Sequence, residues 1–122
     1  MKKTINRNEF IRDMNDYYRG NGFTYDGLNC LYDYLLELEE EIGREFEFDV
    51  IALHCQYCEM TVADFITDYY NDDDIEEILN IYDLKSIDEI TANVLYDYEN
   101  LYMTGRIIAI VDTDTIIVDN DR

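Results

Sequence analysis

Between Thr61 and Glu77 the chain reads TVADFITDYYNDDDIEE, and Asp64, Asp68, Asp72, Asp73, Asp74, Glu76 and Glu77 place seven carboxylates within fourteen positions, without one Lys or Arg. A solvated helix ordinarily intersperses opposite charges at i,i+4 and gains a few tenths of a kcal/mol per pair. Like charges this close destabilise a compact state, so their accumulation points to a cationic partner that offsets the repulsion. Carboxylates at such density accept charge-assisted hydrogen bonds from arginine and lysine, or the charge of a hard cation.

Tyrosines are interleaved with these acids. They occur in Asp16-Tyr17-Tyr18, Tyr32-Asp33-Tyr34, Asp68-Tyr69-Tyr70-Asn71-Asp72, Tyr82-Asp83 and Tyr96-Asp97-Tyr98-Glu99. Tyr32, Tyr82 and Tyr98 are expected in the core. The two rings of a Tyr-Tyr pair do not readily face one core, which leaves Tyr69 or Tyr70 to stand outward beside carboxylates. That is the composition of a surface for arginine-rich partners, combining cation–π contact with bidentate hydrogen bonds.

Other chemistry is less well provided for. His54-Cys55-Gln56-Tyr57-Cys58 sets two thiols at C-x-x-C spacing beside the single His, and Cys30 is the remaining thiol. Zinc needs about four ligands, and a strand through this region would turn His54 and Cys55 to opposite faces. Buried structural cysteines are therefore expected, with no metal and no cofactor. Asp72-Asp73-Asp74 and Asp112-Thr113-Asp114 lack the D-x-[DN]-x-[DN]-G spacing of a calcium loop. No pair of carboxylates is singled out as acid and base, and there is no Ser/His/Asp set or Gly-rich phosphate loop, so no enzyme is expected.

The totals agree with a binding role. The 122 residues suit one domain, spanning 1–122, and 48% are hydrophobic, with 12 Tyr and 5 Phe, which argues against a disordered acidic tail. The net charge is −20 from 29 acids and 9 bases, where about 2 to 8 in magnitude suits a small domain. Lys2, Lys3, Arg7, Arg12 and Arg19 are in the first 19 residues, leaving Arg44, Lys85 and Arg106 against 26 acids over residues 20–121, a body charge of −23. Such a surface repels nucleic acid and anionic lipid and attracts basic clefts. No run approaches the length of a membrane span, the N-terminus lacks the apolar core of a signal peptide, and an odd number of cysteines suits a reducing compartment, so a cytoplasmic location is expected.

The elements that position these groups follow from caps and periodicity. Asn6 opens a first helix carrying Phe10, Met14 and Tyr17 or Tyr18 on one face, ended by Gly20 and Gly22. Thr24 caps a second, from 25 to about 42, whose Leu28, Leu31, Leu35, Leu38 and Ile42 fall within an arc of about 80°. Asp26, Asp33, Glu37, Glu40 and Glu41 occupy the opposite side, and Gly43 supplies the left-handed cap. The alternation in EFEFDVIALHC, Glu45 to Cys55, predicts a strand that enters from a sheet edge and becomes buried. Thr61 with Asp64 predicts the start of a third helix, Asp73 or Asp74 caps a short segment, and Ser86 with Glu89 predicts a capping box for a helix running to Gly105. Arg106–Val111 and Thr115–Val118 form a terminal hairpin around Asp112-Thr113-Asp114. The fold expected is α+β, a small antiparallel sheet of about three strands, including the C-terminal hairpin, with four to five helices covering one face.

Three segments carry a resemblance: Phe23-Thr24-Tyr25-Asp26-Gly27-Leu28, Leu31-Tyr32-Asp33-Tyr34-Leu35, and Phe48-Asp49-Val50-Ile51-Ala52-Leu53-His54-Cys55-Gln56-Tyr57. Together they resemble a family of small acidic phage and prophage proteins with an F-x-Y-x-G-L … L-F/Y-D-Y-L/F-E … DVIAL-x-C-x-Y pattern and a terminal hairpin; Leu36 stands where the pattern has Glu. Such proteins are similar to anti-CRISPR and antirestriction proteins. A strongly negative body ridged along helices approaches the charge density of duplex DNA, so the expected role is a nucleic-acid mimic in a basic groove that itself binds neither nucleic acid nor membrane; the resemblance implies that the groove is that of a CRISPR effector nuclease or a restriction enzyme, blocked against DNA or PAM binding. The surface expected to meet that groove comprises Glu37, Glu40, Glu41, Asp64, Asp68, Tyr69, Tyr70, Asp72, Asp73, Asp74, Glu76 and Glu77. The alternative is a non-mimic acidic interaction module.

Overall fold

In the computed structural model, which describes residues 5–18 and 22–121, the order of elements is α1 (Arg7–Tyr18), α2 (Tyr25–Ile42), α3 (Val50–Gln56), β1 (Tyr57–Thr61), α4 (Val62–Tyr69), α5 (Asp72–Ile81), a 3-10 turn (Ile87–Glu89), α6 (Ala92–Tyr102), β2 (Ile107–Asp112) and β3 (Thr115–Asp119). Gly20, expected to end the first helix, lies outside the described residues, as do the side chains of Tyr17 and Tyr18. The architecture is α+β, with a three-stranded antiparallel sheet in the order β1-β3-β2.

The central strand β3 decides the layering. Neighbouring side chains of a strand point to opposite faces, and here both faces are covered, not one as the sequence led us to expect. Ile117 shares one core with Phe10, Met14, Leu28, Leu31 and Leu35 of α1 and α2. Ile116 and Val118 share the other with Phe65, Ile66, Ile78, Leu95 and Tyr98 of α4, α5 and α6. In β2 a register shift between Ile107 and Ala109 lets Ile108 and Ala109 join the α1–α2 core while Ile107 and Ile110 join the other, as a bulge allows.

The caps at Asn6, Thr24, Gly43 and Thr61 form as expected: Glu9, Gly27 and Asp64 donate backbone N–H groups to Asn6 Oδ1, Thr24 Oγ1 and Thr61 Oγ1, and Gly43 has φ 81°. The expected strand over 46–55 does not form. Asp49 caps α3 by accepting from Ala52 N at 3.1 Å, so the apolar run from Val50 becomes a short helix with Ile51 56% exposed, and the strand begins directly after that helix, at Tyr57. Two further expectations are corrected. α5 is capped not by Asp73 or Asp74 but by Asn71, in a reciprocal capping box with Asp74. Ser86 makes no side-chain cap; Thr91 opens α6 after the 3-10 turn. The hairpin tip sets both starting points in the second layer, for the carbonyls of Asp114 and Thr113 accept from Val62 N and Ala92 N, each at 2.8 Å. These are the first N–H groups of α4 and α6, which the helices cannot satisfy themselves.

The second helix is clamped to β1 by a carboxylate. Glu59 accepts from Thr24 N at 2.9 Å and from Thr24 Oγ1, at the N-terminus of an 18-residue helix, where the macrodipole favours negative charge. A Cβ on Gly27 would lie 1.7 Å from Glu59 Oε1. Gly27 is therefore glycine for Glu59. Replacing Gly27 by Ala gains at most about 1 kcal/mol of helix propensity but displaces that carboxylate, and losing charged hydrogen bonds costs about 1.5–3 kcal/mol each. Urea denaturation should find Gly27→Ala destabilised by about 1–3 kcal/mol, and the same change neutral or stabilising when Glu59 is already Ala.

Candidate binding surface

Of the twelve residues singled out by sequence, nine stand in solvent: Glu37, Glu40, Glu41, Asp64, Asp68, Asp72, Asp73, Glu76 and Glu77 are exposed. Ion pairs among the described residues join Arg7 to Asp33, Arg12 to Asp13 and Arg106 to Glu99. None involves those nine acids. Their placement follows from the helix faces, because Val62, Phe65 and Ile66 of α4 and Ile78 of α5 turn inward and leave the acids on the outside.

The structure does not bring all nine together. Glu37, Glu40 and Glu41 belong to the α2 layer, while the acids of α4 and α5 belong to the layer across the sheet, so the molecule carries two acidic flanks. Asp72, Asp73 and Asp74 also serve the fold, as the first turn of α5, where negative charge complements the helix dipole. Asp74 is half-buried, its carboxylate accepting from Asn71 N at 3.1 Å.

Both tyrosines of the 69–70 pair pack inward, a correction to the expectation for this pair. Tyr70 is 8% exposed and sits at the C-cap of α4 with extended backbone, φ −115° and ψ 148°. The change of backbone direction lets successive rings face one core. Tyr70 donates to Glu99 Oε1 at 2.7 Å, and burial, with that hydrogen bond second, holds its phenol well above the usual tyrosine range. Tyr69 is half-buried with Arg106 over its ring, 4.8 Å from guanidinium carbon to ring centroid. Its arginine comes from its own chain. Tyr32 and Tyr98 are core as expected, while Tyr82 is half-buried and donates to Asp97 at 2.6 Å.

Glu99, at 0% exposure, is the residue that sequence reasoning missed. Its carboxylate accepts from Tyr70 Oη, Thr104 Oγ1 and Arg106 N, the last at 2.8 Å, with the Arg106 guanidinium 3.6 Å away. Both carboxylate oxygens thereby accept hydrogen bonds in the core, and α4, α6 and the start of β2 are tied at one point. Glu39 is a second buried acid, accepting from Phe46 N at 2.7 Å. The signal for Glu39 was available: at 100° per residue it lies about 20° from Leu28, on the apolar arc of α2.

The His-Cys segment spans the α3–β1 junction rather than a strand, so the opposite-face argument for His54 and Cys55 does not apply. His54 Nε2 donates to Met14 O at 3.0 Å, with Phe23 against its ring. Among the described residues no three His, Cys, Asp or Glu side chains form a group that could hold a metal ion. Asp112 accepts from Asp114 N in its own turn at 2.9 Å.

Below the acids, two clefts flank the C-terminal half of α2. One, of about 340 Å³, separates α2 from α6 and is lined by Tyr34, Glu37, Glu41 and Tyr96 over Ile107 and Ile108. The other, of about 370 Å³, is more apolar and lies between α2 and α3, with Leu35, Ile42, Phe46 and Leu53. Compared with protein-family models, with curated proteins and with solved structures, the chain matches none.

Two outcomes test these placements. Glu99→Ala leaves a phenol, a backbone N–H and a guanidinium without their acceptor and should cost about 3–5 kcal/mol in urea denaturation. The cysteines, expected to be buried, are not: Cys55 is exposed and Cys30 and Cys58 are half-buried, where partial burial pushes the Cys30 thiol up and, outweighing the Asn120 hydrogen bond, the Cys58 thiol too. A raised thiol pKa means less thiolate at a given pH. A disulfide exchange reagent at about pH 8 should modify Cys55 quickly and the other two slowly, and all three quickly in denaturant.

Proposed function

We propose that this protein is an acidic, non-catalytic inhibitor that occupies the basic nucleic-acid groove of a DNA-cutting enzyme, an RNA-guided nuclease in the first place. One observation carries the reading: nine exposed carboxylates, on α2 and on α4–α5, have no basic partner among the described residues. Apart from Asp64, Asp72 and Asp73, which lie in helix first turns, these acids add repulsion rather than stability. A groove lined with Lys and Arg for a duplex, which bears one charge per about 1.7 Å of axis, supplies the missing counter-charge. The resemblance of residues 23–57 to small acidic phage proteins points to the same class of target, and arginine-read PAM recognition in a positive channel suits it.

Having acid on both flanks favours an enclosing channel over a flat patch, since only a channel contacts α2 and α4–α5 together. In this reading Glu37, Glu40, Glu41, Asp64, Asp68, Glu76 and Glu77 stand in for phosphates. Asp72, Asp73 and Asp74 share that role with the start of α5. Tyr70 has no part in it.

The test is a PAM-duplex binding assay with a guide-loaded nuclease, read by fluorescence anisotropy, with a restriction endonuclease in parallel. Protein added before duplex should block binding, protein added after it should block little, and inhibition should fall steeply between about 0.1 M and about 0.5 M salt as charges are screened. The combined Asp73→Asn and Glu76→Gln variant, which spares the Asn71–Asp74 cap, should slow association with little loss of stability. Inhibition of the restriction enzyme alone would favour the antirestriction alternative; inhibition of neither, or inhibition indifferent to salt, would leave a non-mimic interaction module.

A further inference from the structure

Twice inside this molecule an arginine is held by the same pair of groups. Arg7 lies over Tyr32, 4.9 Å from the ring centroid, and pairs with Asp33; Arg106 lies over Tyr69 at 4.8 Å and pairs with Glu99. In each case the guanidinium carbon lies over an aromatic ring and a carboxylate stands within ion-pair distance of it.

The cleft between α2 and α6 repeats that chemistry on the surface. Tyr34 and Tyr96 line it as aromatic walls, Glu37 and Glu41 line it from the α2 side, and among the described residues no base lines it. Residues four apart on a helix are neighbours, about 5–6 Å between Cβ atoms, so both carboxylates can reach one guanidinium with its five donors. The floor is Ile107 and Ile108 of β2, the outer strand of the order β1-β3-β2. An outer strand turns alternate N–H and C=O groups away from its neighbour and so offers an edge along which an extended segment can lie.

We infer that the α2–α6 cleft receives an arginine side chain, presented by an extended segment of a partner protein lying along β2. Lysine fits less well: its ammonium is a strongly hydrated point charge that neither stacks between rings nor forks across two carboxylates. Repulsion between two copies, each carrying −20, weighs against a second copy of this chain as occupant. The inference deepens the proposed inhibitory role and rests on it only for the partner's identity; the chemistry of the cleft is independent of it.

The experiment titrates isotope-labelled protein with three short blocked peptides, identical except for a central arginine, lysine or citrulline, and follows amide and tyrosine resonances. The arginine peptide should shift Tyr34, Tyr96, Ile107 and Ile108, bind at least about fivefold more tightly than the lysine peptide, and far more tightly than the citrulline peptide. Glu37→Gln with Glu41→Gln, and separately Tyr96→Leu, should each weaken it at least about fivefold. Asp83→Asn with Asp88→Asn, at exposed positions outside both the cleft and the proposed inhibitory surface, removes equal charge and should leave binding unchanged. Equal weakening by the two double variants, equal affinity for arginine and lysine, or no shifts in the cleft would overturn the assignment. Loss of nuclease inhibition with arginine-peptide binding intact would instead remove the inhibitory reading and leave the cleft standing.

Discussion

Ile116, Ile117 and Val118 are consecutive, and all three have 0% exposure. A strand can bury three side chains in a row only if both faces of its sheet are covered, and that constraint generates the rest of the architecture. It requires α1 and α2 on one side, α4, α5 and α6 on the other, and β3 in the middle. It also explains how the chain tolerates a charge of −20. Each fully buried aliphatic or aromatic side chain contributes about 1.5–3 kcal/mol, and two such cores outweigh repulsion among charges that remain in water, where the interaction of a pair is weak.

Where a single local signal decides an element, the sequence was sufficient. The caps at Thr24 and Thr61, the leucine stripe of α2, the left-handed Gly43 and the C-terminal hairpin were all legible, because each depends on residues within one turn or one loop. The failures have a common cause, a competing signal that wins through tertiary contact. The apolar run from Val50 reads equally as a buried strand or a helix, and Asp49 settles it by capping. Tyr57–Thr61 hides its strand because both faces are covered, so Tyr57 and Met60 serve different cores and no simple alternation appears. At Ser86 the capping pattern was present, but the Thr113 carbonyl lies where Ala92 begins, and the helix starts there instead.

The candidate surface was legible as charge but not as shape. That Glu37 or Asp68 would face solvent follows from helix periodicity. That α2 and α4–α5 would lie on opposite layers does not, because it depends on strand order. Glu99 was hidden for a related reason: in the Tyr96-Asp97-Tyr98-Glu99 stretch nothing marks one acid for the interior until Tyr70, Thr104 and Arg106 arrive from elsewhere in the chain. The tyrosine–carboxylate pairing recognised in the sequence proves to be a motif used inside the molecule first. Arg7 and Arg106 each find it there.

The hairpin tip between β2 and β3 supplies the carbonyls on which α4 and α6 begin. Two helices distant in sequence thus share one mooring. Lifting that tip releases the first amide of both at once, so the layer they build with α5 opens as a cooperative unit rather than fraying helix by helix. The other layer is moored separately, through Glu59 and Thr24, which gives one small sheet two independently latched covers.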